Sequence, residues 1–223
     1  MAKQQRMFWP FVATALLLLG AVGGGSRGSA DTIDAKGGDP WDRCGECHGL
    51  DGAGNHIKFP RLAGQKQSYI IKELFDFRRG RRKNDGGQMQ QTATEVDEAD
   101  IPRVAAWFAS QTPPWPKPTI EAEPDLARAE QLALRGEPGI PACLSCHSAA
   151  SLRLLDHAAD APRLAGQRDY YIAKELNDFR AGRRGNDPEQ MMSRIARRLT
   201  DADISSVAVW LSQNPDMHQA VVP

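Results

Sequence analysis

The feature that most constrains the fold of this chain is a near-repeat. The stretch PRLAGQKQSYIIKELFDFRRGRR at residues 60–82 returns as PRLAGQRDYYIAKELNDFRAGRR at residues 162–184, and the two agree at 17 of 23 positions. The offset of 102 residues is close to the length of one small domain. In a chain of 223 residues, the repeat therefore predicts two tandem domains of the same fold.

The first thirty residues are typical of an export signal. They combine a basic start, an apolar run interrupted by Pro10 and a small-residue stretch that ends at Ala30. An unbroken membrane span needs about 20 apolar residues, so we favour a cleaved signal over an uncleaved anchor and expect a periplasmic protein. The predicted boundaries are a signal at 1–30, a first domain at 31–112, a proline-rich linker at 113–124 and a second domain at 125–223.

The charge balance argues against nucleic acid as a partner. After residue 30 the chain carries 25 basic and 28 acidic residues, because the three charged residues before that point, Lys3, Arg6 and Arg27, are all basic. A nucleic-acid-binding surface needs a basic surplus. We therefore expect protein partners, with membrane contact only through them or through an uncleaved N-terminus.

All four cysteines fall in two C-x-x-C-H motifs, CGECH at 44–48 and CLSCH at 143–147. On a helical turn, residues i and i+3 share a face, so two thiols can reach the two vinyl groups of one porphyrin while the adjacent histidine faces the iron. A zinc site would need further Cys or His at ligand spacing, and neither motif has them nearby. The motifs predict two covalently attached haem c groups, held by Cys44, Cys47, His48, Cys143, Cys146 and His147.

The sixth iron ligand decides between an electron carrier and a haem that binds substrate. Met89 lies eleven residues before Asp100, and Met192 lies eleven residues before Asp203, where the last helix of each copy is expected to begin. Counting from the upstream Asn-Asp favours Met191 instead, because the second copy has one extra residue. Insertions are tolerated best in loops, so we predict Met89 and Met192 as ligands and keep Met191 as the alternative.

Three histidines remain as weaker candidates for the sixth position. His56 and His157 follow their haem histidines by eight and ten residues, so they do not correspond between the copies. His218 lies in the C-terminal tail.

The repeated stretch has the spacing of an amphipathic helix in both copies, with Gly80 and Gly182 placed to end it. A last helix follows each methionine, and we expect its tryptophan, Trp107 or Trp210, to pack against the helix that carries the haem motif. Strand patterns are nearly absent, so the predicted fold class is all-α. The apolar positions of the repeated helix are Ile70, Leu74, Phe77, Ile172, Leu176 and Phe179.

The two copies differ at their starts. The second opens with PDLARAEQLALRG, which predicts a helix, whereas DTIDAKGGDPWDRCGECHG in the first leaves barely a turn before Cys44. Each copy also contains an arginine-rich segment, RRGRRK at 78–83 and RAGRR at 180–184. We expect one arginine of each segment to pair with a haem propionate and the others to be solvated. Docking of a partner protein to these segments is an alternative.

Together, these motifs resemble the dihaem class I cytochromes c of the cytochrome c4 type, over residues 40–213. The resemblance implies two class I domains related by pseudo-twofold symmetry, with His and Met ligands on each iron. It also implies that the carbonyls of Pro60 and Pro162 hold the haem histidines in place.

The function expected from His–Met ligation is single-electron transfer between a donor complex and an acceptor such as a terminal oxidase. Alternatives are the cytochrome subunit of a dehydrogenase and a dihaem peroxidase-like enzyme. Because no acid–base pair accompanies the motifs, an electron carrier is preferred to an enzyme.

Overall fold

The structure of the chain is a computed structural model that describes residues 38–121, 123–148 and 161–219. Within these ranges the chain is helical, and the sole β pairing is an isolated bridge between Glu137 and Ile140. The all-α prediction is therefore confirmed. The predicted signal at 1–30 lies outside the described residues. No helix of the described part is long and apolar enough to cross a membrane.

The helices form two halves, here called the first half (38–112) and the second half (125–219). The four helices of the first half recur in the same order in the second half, which has one additional helix at its start. The first contains α1 (Asp42–His48), α2 (Gln67–Arg78), α3 (Gln88–Thr94) and α4 (Ile101–Ser110). The second contains α5 (Leu126–Leu134), α6 (Cys143–His147), α7 (Asp169–Arg180), α8 (Met191–Ala196) and α9 (Asp201–Gln213). Two 3₁₀ helices, Pro188–Gln190 and Pro215–Gln219, precede α8 and follow α9.

The repeated stretch forms α2 and α7, as predicted. Their apolar faces enter two separate hydrophobic cores, one in each half. Gly80 (φ +64°) and Gly182 (φ +73°) follow the helices in the left-handed conformation that ends them. The helix predicted at the start of the second half is α5, and α1 begins at Asp42, two residues before Cys44.

The last helix of each half packs as its spacing predicts. In α4, Trp107 stacks on Trp41 at the start of α1, with ring centroids 4.4 Å apart, and donates a hydrogen bond to the carbonyl of Leu50. In α9, Trp210 is buried in the same core as Leu144 of α6. Trp107 thus connects α4 to the haem-motif helix α1, whereas Trp210 enters a core that residues of α5, α6 and α7 share.

The two halves meet through a self-complementary interface. The side-chain amide of Gln65 donates to the Arg163 carbonyl at 3.0 Å and accepts from the Arg163 N–H at 2.8 Å. Gln167 makes the same pair of bonds to Arg61, at 2.8 and 2.7 Å. Gln65 and Gln167 are equivalent positions of the two halves, and so are Arg61 and Arg163. The same contact is therefore made twice across a pseudo-twofold axis, which is the pattern of an isologous interface.

The linker lies along this interface. The guanidinium of Arg61 lies over the indole ring of the linker residue Trp115, 4.3 Å from the ring centroid. The same indole packs closely on Gly166, because a Cβ added to Gly166 would lie 2.4 Å from it. The carbonyls of Pro113 and Pro114 accept from Arg61 at 2.8 Å. The linker is therefore fixed to both halves.

Candidate haem-binding sites

Helix α1 places the first haem motif at the edge of a cavity. Cys44 and His48 are buried, and the four cysteines form no disulfide. The Nδ1 of His48 lies 3.0 Å from the carbonyl of Pro60. Burial lowers the pKa of His48, partly opposed by this hydrogen bond, so the ring is neutral. A neutral ring that donates through Nδ1 leaves Nε2 free to bind iron.

The second motif repeats this geometry on α6. The Nδ1 of His147 lies 2.8 Å from the carbonyl of Pro162. Burial lowers the pKa of His147 to about 4, and the charges of Lys66 and Arg184 act in the same direction. The carbonyl partners implied by the family resemblance are thus in place in both halves.

One cysteine of each motif, Cys44 or Cys143, is held as a thiol rather than a thiolate. Burial raises the pKa of Cys44 and of Cys143 to about 11. Neutral thiols suit covalent attachment through thioether bonds.

Both motifs line one continuous cavity of about 1070 Å³. This volume lies just above the usual range for single-ligand pockets, about 300–1000 Å³. The lining includes all four cysteines, both haem histidines and three methionines, Met89, Met191 and Met192. The residues present fit two haem groups, since each part of the cavity offers two thiols, a neutral imidazole and a thioether.

The methionines occupy equivalent helix positions. Met89 is the second residue of α3, and Met192 is the second residue of α8. Their backbone N–H groups donate to the carboxylates of Asp85 and Asp187 respectively. Met191 is the first residue of α8 and corresponds to Gln88. The structural register therefore agrees with counting from the last helix.

Of the remaining histidine candidates, the structure describes the side chain of His56 alone. His56 is exposed, accepts from the Lys58 N–H at 3.3 Å, and does not line the cavity. His157 and the side chain of His218 lie outside the described residues.

Four charged side chains, here called the central ion cluster (Glu73, Arg82, Glu175 and Arg184), lie buried where the halves meet, and all four line the cavity. Arg82 pairs with Glu73 at 2.6 Å and with Glu175 at 3.0 Å; Arg184 pairs with Glu175 at 2.7 Å and with Glu73 at 3.2 Å. Burial alone would raise the pKa of Glu73 and of Glu175, but the arginines outweigh it and hold each at about 2.

The pairing of one arginine of each arginine-rich segment with a haem propionate stays a prediction. One arginine of each segment is buried beside the cavity, but it pairs with carboxylates of both halves. Arg81 and Arg183 are half-exposed and pair with Asp76 and Asp178, so they are not simply solvated.

Sequence reasoning also missed the polar residues that complete the interface. The sequence feature that could have indicated these residues is that they are identical in the two copies. Two separate haem pockets would not by themselves require identical polar residues at these positions. They are Gln65 and Gln167, Tyr69 and Tyr171, and Asn84 and Asn186, the last four donating to or accepting from the central ion cluster.

Comparison with known proteins agrees with this arrangement. Residues 35–112 match the Cytochrome c family. Cytochrome c4 of Pseudomonas aeruginosa is 36% identical over 173 residues, which cover 75% of this chain and 82% of the relative. The thiosulfate dehydrogenase electron acceptor of Stutzerimonas stutzeri is 34% identical, covering 92% and 94%. The crystal structure of reduced recombinant cytochrome c4 from Pseudomonas stutzeri superposes with a TM-score of 0.65 at 32% identity, covering 78% and 94%.

Proposed function

Because the chain belongs to the cytochrome c4 family of dihaem electron carriers, we propose a specific set of residues for its two covalently attached haems. Cys44 and Cys47 attach the first haem and His48 binds its iron. The second haem is held in the same way by Cys143, Cys146 and His147. The proposal is supported above all by the repeated His–Pro hydrogen bond, at 3.0 and 2.8 Å, over one cavity.

The sixth ligands in this proposal are Met89 and Met192. Their equivalent helix positions and the matching bonds to Asp85 and Asp187 support this choice over Met191. Methionine ligation raises the reduction potential of a haem. Both couples are therefore expected to be positive, as suits an electron carrier late in a respiratory chain.

When bound, each haem supplies a one-electron couple. The chain's own residues hold and shield it: the carbonyls of Pro60 and Pro162 orient the imidazoles, and the buried helix faces exclude water. Both haem motifs line the same cavity, so the chain would hold its two one-electron couples in one shared interior. We propose the same domain limits as the sequence indicates, 31–112 and 125–223, around a linker at 113–124.

We further propose that the protein works in the periplasm between a dehydrogenase and a terminal oxidase. The name of the Stutzerimonas stutzeri relative supports thiosulfate dehydrogenase as the donor. A quinol-oxidising complex is the competing donor. In either case the partner is a redox protein.

The proposed donor can be tested by stopped-flow reduction of the oxidised dihaem protein. Purified thiosulfate dehydrogenase with thiosulfate should deliver two electrons per chain, and oxidase-containing membranes should then reoxidise both haems. A quinol-oxidising complex with quinol serves as the matched donor. If it reduces the protein while the dehydrogenase does not, the proposed donor is wrong and the carrier role stands.

A further inference from the structure

The two methionine segments differ in the backbone that leads into them. Gly86 and Gly87 precede α3 with φ of +76° and +90°. Glu189 and Gln190 precede α8 with φ of +54° and +53°. Glycine adopts this left-handed conformation freely, whereas in any other residue the Cβ atom lies too close to the carbonyl oxygen that follows it. The turn before α8 is therefore strained, whereas the glycines before α3 let the first half make the same turn without strain.

The anchoring of the segments differs as well. Asp85 accepts hydrogen bonds from the N–H groups of both Met89 and Gly87. Asp187 accepts from the N–H of Met192 at 2.7 Å, but its Oδ1 is buried with no partner in the part of the chain that the structure describes. A buried carboxylate oxygen without a donor weakens the conformation that holds it.

A further hydrogen bond anchors the segment that carries Met89 and not the segment that carries Met192. The amide of Gln90 donates to the backbone carbonyl of Arg82 at 3.1 Å, fixing α3 to the end of the arginine-rich segment. The residue after Met192 is Ser193, which has no amide to make this bond. Strain and weaker anchoring both point to the same segment.

We propose that the segment carrying Met192 opens, while that carrying Met89 stays closed, and that the second haem site thereby binds small neutral nitrogen donors of the imidazole class. The proposal rests on the Met192 ligation proposed above. In the exchange the bond from Met192 sulfur to iron breaks and a nitrogen–iron bond forms. No electron or proton is transferred.

The expected difference between the two sites follows from the two strained residues. One left-handed residue with a side chain shifts an opening equilibrium by about tenfold. Because the contributions of the two residues multiply, the oxidised second site should take up imidazole on the order of a hundredfold faster than the first.

The test is stopped-flow mixing of the oxidised dihaem protein with imidazole, followed by the near-infrared sulfur-to-iron absorption band. Two phases of equal amplitude are expected, and the fast phase should be missing in Met192→Ala. The double variant Glu189→Gly/Gln190→Gly should slow the fast phase on the order of a hundredfold. The reciprocal variant Gly86→Glu/Gly87→Gln should accelerate the slow phase.

Each result has a defined meaning. A single phase, or a fast phase unchanged in Glu189→Gly/Gln190→Gly, overturns the proposal and leaves the methionine ligation intact. Absence of the near-infrared band before imidazole is added overturns the ligation and the proposal together. Band amplitude in each double variant before mixing shows that the variant is folded with its methionines bound.

Discussion

At the scale of single residues, Gln65 and Gln167 show why a polar position is repeated. Each side-chain amide bonds to both the N–H and the carbonyl of one backbone residue in the opposite half. Neither glutamine could be assigned this role from the sequence, because spacing along a chain does not say which surface a residue will meet. The two C-x-x-C-H motifs, by contrast, can be recognised in the sequence, because each is contained within five consecutive residues.

Replacing Gln167 by alanine should lower the free energy of unfolding by about 2–3 kcal/mol. Three hydrogen bonds are lost, two to Arg61 and one from the Arg168 N–H, and the backbone N–H of Arg61 is left buried without an acceptor. Denaturant unfolding measures the change. The control is Gln67→Ala, whose exposed 3.3 Å bond to the Pro102 carbonyl should be worth no more than about 0.5 kcal/mol. Equal losses in the two variants would contradict the role given to Gln167.

At the scale of elements, the repeated helix was predictable and its surroundings were not. Apolar spacing and a terminal glycine specify α2 and α7 locally. The turn before α8 is built from Glu189 and Gln190 in a conformation that their residue types disfavour, so no local pattern could indicate it. The extra residue of the second copy is accommodated in that turn, which is why Met192 keeps the helix position of Met89.

Substitution of Gly182 by alanine should destabilise the protein by about 1 kcal/mol. Its φ of +73° is left-handed, and an added Cβ would meet no atom within 4 Å, so the cost is purely conformational. Gly185 offers a matched control, since its Cβ would also meet nothing and its φ is not left-handed. Thermal unfolding should separate Gly182→Ala from Gly185→Ala; identical transitions would show that α7 does not need a left-handed end.

At the scale of the whole molecule, the central ion cluster links the halves and makes their stability depend on pH. The pKa of Glu73 and of Glu175 is about 2 in the folded protein, below the ordinary value of 4.5. Their contribution is therefore complete above pH 4.5 and is lost as the pH falls toward 2. The free energy of unfolding should be level at neutral pH and decline across that window.

The variant Glu175→Gln should lose roughly 3 kcal/mol at pH 7, because Arg82 and Arg184 remain buried with less negative charge. It should also show a shallower decline between pH 4.5 and 2. Glu98, whose side chain is 59% exposed, provides the control Glu98→Gln, with an expected change within about 0.5 kcal/mol. An unchanged pH profile in Glu175→Gln would exclude the cluster as the source of the acid sensitivity.

The proposed electron transfer requires two haem sites of the same design, each closed by a methionine at the same helix position. The most direct measurement is the near-infrared sulfur-to-iron band of the oxidised dihaem protein, in the parent chain and in single alanine variants. Met89→Ala and Met192→Ala should each remove about half of the band, and Met191→Ala should leave it whole. A full band in Met192→Ala, or a halved band in Met191→Ala, would contradict the account.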